Sequence, residues 1–239
     1  KSPGCSDYMS QAMAMGCDTV GGLDPAGFDG NIEGHLDVVF GLADRHDAGI
    51  DIHLHDPGTL GAFEIERIAE RTRALSMEGR VTISHAYCLG DLELDQVRRI
   101  ADNLARSGVA IVTNAPGAMS FPPVHVLREA GVNYFAGNDN IRDSWWPYGD
   151  GDLLRRANIV GYRSGFNEDW ELETAFSMVT TEGARALGIK DYGIEVGARA
   201  DFVTLDAEHV PEAMVAVPGN RDVYKNGRLV AFAGVVIPQ

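Results

Sequence analysis

Five polar residues set the rhythm of this chain. Asp24, His53, His85, Thr113 and Asp139 each end a short apolar stretch, and they stand 29, 32, 28 and 26 residues apart. Parallel strands must be joined by a crossover of a dozen or more residues, usually a helix, and such crossovers are right-handed. Each interval has that length. The strands are expected at Gly16–Asp24, Gly49–His55, Val81–His85, Val109–Thr113 and Val132–Asp139. Between them, Asn31–His46 shows Ile32, Leu36, Val39, Phe40 and Ala43 at helical spacing, and Ala62–Ser76, Glu93–Ser107 and Pro123–Ala130 read as the next helices. This is an α/β chain with the repeat of a (β/α)8 TIM barrel, whose active sites lie at the C-terminal strand ends. The polar residues stand there. A doubly wound open sheet is the competing fold, but no Gly-rich phosphate loop follows the first strand.

Past Asp139 the pattern changes. Asp150–Tyr162, Leu172–Val179 and Thr181–Leu187 read as helices. From Asp201 onward the chain reads as strands, and Asn226-Gly227 is a strong hairpin signal. The expected division is residues 1–190 for the barrel part and 191–239 for part of a small flanking β-sandwich domain.

Charge narrows the partners. Among 239 residues, 35 acidic and 20 basic side chains leave a net charge of −15. Phosphate binding needs basic patches, so this charge argues against nucleic acid and anionic membrane surfaces as partners. No apolar run approaches the roughly 20 residues that span a bilayer. The scattered Cys5, Cys17 and Cys88 read as reduced, small buried hydrophobes of a cytoplasmic protein. No signal peptide is recognisable, and the chain opens on Lys1-Ser2-Pro3 without an initiator Met, so an upstream segment is expected.

The chemistry gathers at three histidines. In a strand, residues i and i+2 share a face, so His53 and His55 look to one side. His85 follows one βα unit later, and Asp139 ends a further strand. Imidazoles with a carboxylate are the donor set of a metal-activated water. Asp139 taken alone also suits a turn, because Asp-Asn is turn chemistry. His35, His46, His125 and His209 have no such company and read as surface or core residues. The run Trp145-Trp146-Pro147-Tyr148 is either an aromatic wall for a ligand or a packed loop.

At these residues the chain resembles the amidohydrolase superfamily, within its cytosine deaminase-like branch. The likeness runs in order through 16–25, Asp51-Ile52-His53-Leu54-His55-Asp56, Arg80–Ala86, Asp139–Asp143, Pro147-Tyr148-Gly149, Glu182–Arg185, and 192–197 with Ala200-Asp201. The resemblance implies a metal-dependent hydrolase barrel of which strands 4 to 8 are present. It implies His53 and Asp139 as ligands of one divalent ion, zinc or iron, with Asp139 also taking the proton of the activated water. It implies His85 as the group that holds the developing oxyanion. Asp24, His55 and Asn140 look like the substrate-contacting and proton-shuttling residues of the branch's s-triazine hydrolase, and Asp56 joins them as a substrate residue.

Two departures shape the expectation. Cytosine deaminases carry His-x-x-Glu, whereas the fourth position here is Asp56, which puts cytosine itself in doubt. The strand-1 His-x-His of the superfamily is absent. His53-Leu54-His55 does not replace it, since only the strands of positions 5 to 8 fit between His53 and Asp139. The expected reaction is hydrolysis of a C–N bond, by deamination or amine removal, on a small heterocycle such as a pyrimidine or s-triazine. Self-association into a homo-oligomer stays open. A second hypothesis is an incomplete, inactive barrel that acts only as an interaction partner.

Overall fold

The computed structural model describes residues 3–117 and 119–238. The chain forms two compact units, Lys1–Tyr134 and Phe135–Gln239. In the first, helix α1 (Cys5–Ala14) precedes strand β1 (Thr19–Leu23). Helices α2 (Ile32–His46), α3 (Gly58–Ala74), α4 (Leu94–Arg106) and α5 (Val124–Glu129) then alternate with strands β2 (Gly49–Leu54), β3 (Val81–His85) and β4 (Val109–Thr113). A 3₁₀ turn covers Tyr87–Gly90, and the unit boundary falls within the short strand β5 (Tyr134–Ala136).

The five strands lie in chain order, β1-β2-β3-β4-β5. The pairs from β1 through β4 are all parallel. A doubly wound sheet reverses its order at a switch point. This sheet never does, which is the order of a barrel segment.

Side-chain periodicity explains the layers. On β2, Ile50, Ile52 and Leu54 are buried, while Asp51 and His53 on the other face are only partly covered. On α4, Val97, Ile100, Ala101 and Leu104 make one apolar stripe against the sheet layer, and α2 does the same with Leu36, Val39, Phe40 and Ala43. Each fully buried aliphatic side chain contributes roughly 1.5–3 kcal/mol.

Some boundaries move from their expected places. Helix α3 starts at Gly58, not Ala62, because Pro57 in extended backbone launches it and its first turn carries no apolar period to reveal it. Strand β5 has three residues where eight were expected, and the Val132 N–H is still bonded to the Leu127 carbonyl of α5 at 3.0 Å. Cys88 is buried as expected, but Cys5 and Cys17 are exposed. That corrects the reading of all three as core residues: Cys5 lies on α1, which buries only Met13, and Cys17 lies just beyond it.

The second unit holds α6 (Leu153–Ser164), α7 (Asp169–Met178), α8 (Thr181–Ala186), strand β6 (Phe202–Leu205), α9 (Val210–Ala216), and strands β7 (Arg221–Lys225), β8 (Arg228–Phe232) and β9 (Val235–Val236). Its four strands form an antiparallel sheet in order. Asn226 (φ 49°) and Gly227 (φ 72°) both take the positive φ that a two-residue hairpin of type I′ demands. Helix α6 begins after Asp152, whose carboxylate accepts the Leu154 N–H at 2.9 Å. Arg221 grips the same carboxylate through both terminal nitrogens, each at 2.8 Å. Helices α6 to α9 and the tail sheet fall together in the compact unit Phe135–Gln239. Among the described residues, no helix is long and apolar enough to cross a membrane.

Candidate active site

The register of the parallel sheet assembles the site. Leu23 lies opposite His53, and His53 opposite Ser84, so the chain leaves β1, β2 and β3 through Asp24, His55 and His85 side by side. The Asp24 N–H continues the ladder onto the His53 carbonyl at 3.0 Å. Below them, the Ser84 hydroxyl donates to Asp51 Oδ1 at 2.7 Å and ties the two strands on the same face.

Three imidazoles converge. The His55 and His85 rings stack with centroids 4.6 Å apart, and His53 meets His85 edge-on at 5.0 Å. One ring nitrogen from each of the three lies within 4.8 Å of the others. His85 Nε2 and His53 Nδ1 are 3.3 Å apart. Two nitrogens at the usual zinc–imidazole distance on a tetrahedral ion are separated by about 3.3 Å. The donor set and its spacing therefore fit one divalent ion, and imidazole suits zinc and iron alike.

The surroundings fix the rings. Asp24 Oδ1 accepts the His55 backbone N–H at 2.6 Å, and Oδ2 accepts from His55 Nδ1 at 2.9 Å. The carboxylate thus sets the tautomer and leaves Nε2 as the working nitrogen. The Tyr87 hydroxyl lies 3.2 Å from His85 Nδ1. Asp24 (φ 38°), His85 (φ 73°) and Ala86 (φ 48°) all sit in left-handed backbone. Non-glycine residues rarely accept that conformation, and it clusters at functional turns.

Asp56 differs from its neighbours. It is buried at 8% exposure, and its Oδ2 accepts the Gly27 N–H at 2.9 Å. Beside it stands Glu64, which the sequence reading passed over. Glu64 is fully buried on α3 and accepts the Ala26 N–H at 2.8 Å through Oε1. Burial is the main force on its carboxyl; the Ala26 N–H pulls the other way, and the Asp56 and Asp24 charges add to the rise, to about 7. The signal was present in sequence: Glu64, Ile68 and Thr72 share a helical stripe, and all three are buried.

Asp139 and Asn140 belong to the second unit, in the loop that follows β5. The charge of Asp139 acts on Arg156, a buried residue of α6 whose Nε donates to Asn138 Oδ1 at 3.2 Å. Asn140 uses its amide on Asp143 Oδ2 at 2.8 Å, and Asp143 Oδ1 accepts the N–H groups of Trp145 and Trp146. Asn140 first, and then these backbone bonds, hold the Asp143 carboxyl below its ordinary range against the desolvation that raises it. Trp145 and Tyr148 are largely exposed, so neither is packed as a core residue. Thr113 at the end of β4 is buried and accepts the Ala115 N–H at 3.0 Å. Of the other histidines, His35 pairs with Asp29 at 2.7 Å and His209 caps α9 by accepting the Glu212 N–H.

Comparison with known proteins adds a lineage. The sequence profile described as the amidohydrolase family matches residues 1–237. The chain is 40% identical over 228 residues to the N-isopropylammelide isopropyl amidohydrolase of Pseudomonas sp. (strain ADP), covering 95% of this chain and 57% of that protein. The crystal structure of N-isopropylammelide isopropylaminohydrolase from Burkholderia multivorans ATCC 17616 superposes with a TM-score of 0.96 at 44% identity, over 98% of this chain and 60% of that one. The 5-methylcytosine deaminase of Klebsiella pneumoniae liganded with 5-fluorocytosine gives a TM-score of 0.86 at 25% identity, over 100% of this chain and 62% of that one. The chain thus spans less than two thirds of the length of each of these relatives.

Proposed function

The chain belongs to the amidohydrolase family, and from that premise we propose that the protein hydrolyses an exocyclic or ring C–N bond of a small heterocycle, such as an s-triazine or pyrimidine. The observation that carries the reading is the convergence of His53, His55 and His85 at adjacent ends of parallel strands, with Asp24 aligning one of them. The named relatives are hydrolases and deaminases, and nothing favours an interaction-only role. We read residues 1–190 as the barrel part of a longer enzyme and 191–239 as part of its flanking β-domain, in the cytoplasm.

We assign His53 and Asp139 as the residues that would hold a divalent ion, zinc or iron. Such an ion supplies Lewis acidity that brings the pKa of a water toward about 7. Asp139 takes the proton of the attacking water on a carboxylate oxygen as the new C–O bond forms. His85 stabilises the charge that develops on the substituent of the tetrahedral carbon. His55, held by Asp24 at Nδ1, delivers a proton from Nε2 to a ring nitrogen and makes the carbon electrophilic. His55 suits this task better than Asp56, because the Asp56 carboxylate is buried on the Gly27 N–H. The C–N bond then breaks, the amine or ammonia leaves with the proton relayed by Asp139, and the hydroxyl proton left on that carbon returns to His55 as the new C=O bond forms. Asp24 and Asn140 are assigned to substrate contact.

The test is amine release by the full-length protein from a panel of amino- and alkylamino-triazines and aminopyrimidines. Turnover that a chelator removes and zinc or iron restores is the expected result. No release from any member by protein carrying stoichiometric metal would overturn the proposal.

A further inference from the structure

Asp56 and Glu64 are two buried carboxyl groups, and the chemistry above gives Glu64 no task. They hold consecutive peptides: Glu64 Oε1 takes the Ala26 N–H and Asp56 Oδ2 takes the Gly27 N–H. These peptides follow directly on Asp24 and Pro25. The fit is close, since a Cβ on Gly27 would come within 2.3 Å of Asp56 Oδ1 and one on Gly61 within 2.2 Å of the Asp56 carbonyl. Asp24 in turn grips His55 at two atoms.

We propose that Glu64 is a positioning residue for His55: with Asp56 it clamps the Ala26–Gly27 peptides and so fixes Asp24, the carboxylate that orients the imidazole. Glu64 Oε2 is buried, and no hydrogen-bond donor reaches it. A buried oxygen in that position, beside the Asp56 carboxylate, is where a carboxyl proton belongs. Glu64 is then the neutral partner that donates to Asp56. The groups that act on it are Asp56 at the end of β2, Asp24 at the end of β1 and, from the 3₁₀ turn, Cys88, whose thiol burial pushes up to about 12 and keeps neutral. The Asp56 and Asp24 carboxylates are both negative. Loss of the Glu64 proton would set like charges against each other and loosen the loop that carries Asp24.

The inference rests on the proposed role of His55, and its test separates the two. In the full-length enzyme, Glu64→Gln keeps an acceptor for Ala26 and a donor for Asp56, whereas Glu64→Ala keeps neither. The readouts are kcat and KM against pH, and the His55 imidazole titration followed by NMR. Wild type should lose kcat as the pH rises through about 7, and Glu64→Gln should hold kcat within about threefold of wild type while lacking that fall. Glu64→Ala should lower kcat about tenfold, as loss of one buried hydrogen bond implies, with KM little changed and the His55 titration displaced. Glu64→Ala matching wild type in both readouts overturns the inference, and so does Glu64→Gln losing as much as Glu64→Ala. If Glu64→Ala does not fold, the pH profile of Glu64→Gln against wild type decides. If the enzyme hydrolyses no heterocycle, the reading of function fails and the His55 titration alone decides on Glu64.

Discussion

At the scale of the residue, neighbouring side chains with the same chemistry have different surroundings. His53 Nδ1 faces His85 Nε2 at 3.3 Å, while His55 is tied to Asp24 through Nδ1. His55→Asn should therefore lower kcat by about 10²–10⁴, the usual worth of a general acid or base, and leave metal content unchanged by mass spectrometry. Loss of the metal instead would make His55 a ligand. Asp139→Asn should abolish turnover with the circular dichroism spectrum unaltered; activity retained within about tenfold would remove Asp139 from the chemistry. The histidine pattern was legible because a strand's two-residue period is strict. The duties of Asp56 and Glu64 were not, because they depend on which peptides the loop after β1 brings to them, and no periodicity encodes that.

At the scale of the element, what could be read from sequence was the apolar stripe, and what could not was the cap. The stripe of α2 is legible in the sequence alone, at Ile32, Leu36, Val39, Phe40 and Ala43. The first turn of α3 was hidden behind Pro57, and α6 was expected three residues early because its cap lies at Asp152. The hairpin at Asn226-Gly227 was legible because turn chemistry is local. The grip of Arg221 on that cap joins residues 69 apart in sequence and left no local trace. Desolvation raises the Asp152 carboxyl, but the Arg221 hydrogen bonds and charge outweigh it and hold the group below 3.8. A carboxyl depressed on folding stabilises above its unfolded pKa, and that contribution is lost as pH falls through the lower folded value. Asp152→Ala should cost about 1–2 kcal/mol at pH 6, and the gap to wild type should narrow in melts taken below pH 3.8.

At the scale of the whole molecule, the strand order decided between two α/β folds that share helix and strand lengths. Edges follow from the same order. β1 and β5 end the five-stranded sheet, and an uncovered sheet edge invites pairing with another chain. A polypeptide limited to these 239 residues should self-associate in light scattering, and a monodisperse monomer would show both edges to be covered. The turn at His85 and Ala86 bears on attempts to make the protein hardier. Ala86→Gly relieves a left-handed backbone that costs a non-glycine residue about 1 kcal/mol, and should raise the melting temperature with activity kept. The same relief at His85 would surrender an imidazole of the candidate site. Heat tolerance and turnover thus draw on adjacent codons, one free to drift toward glycine and the other barred from it.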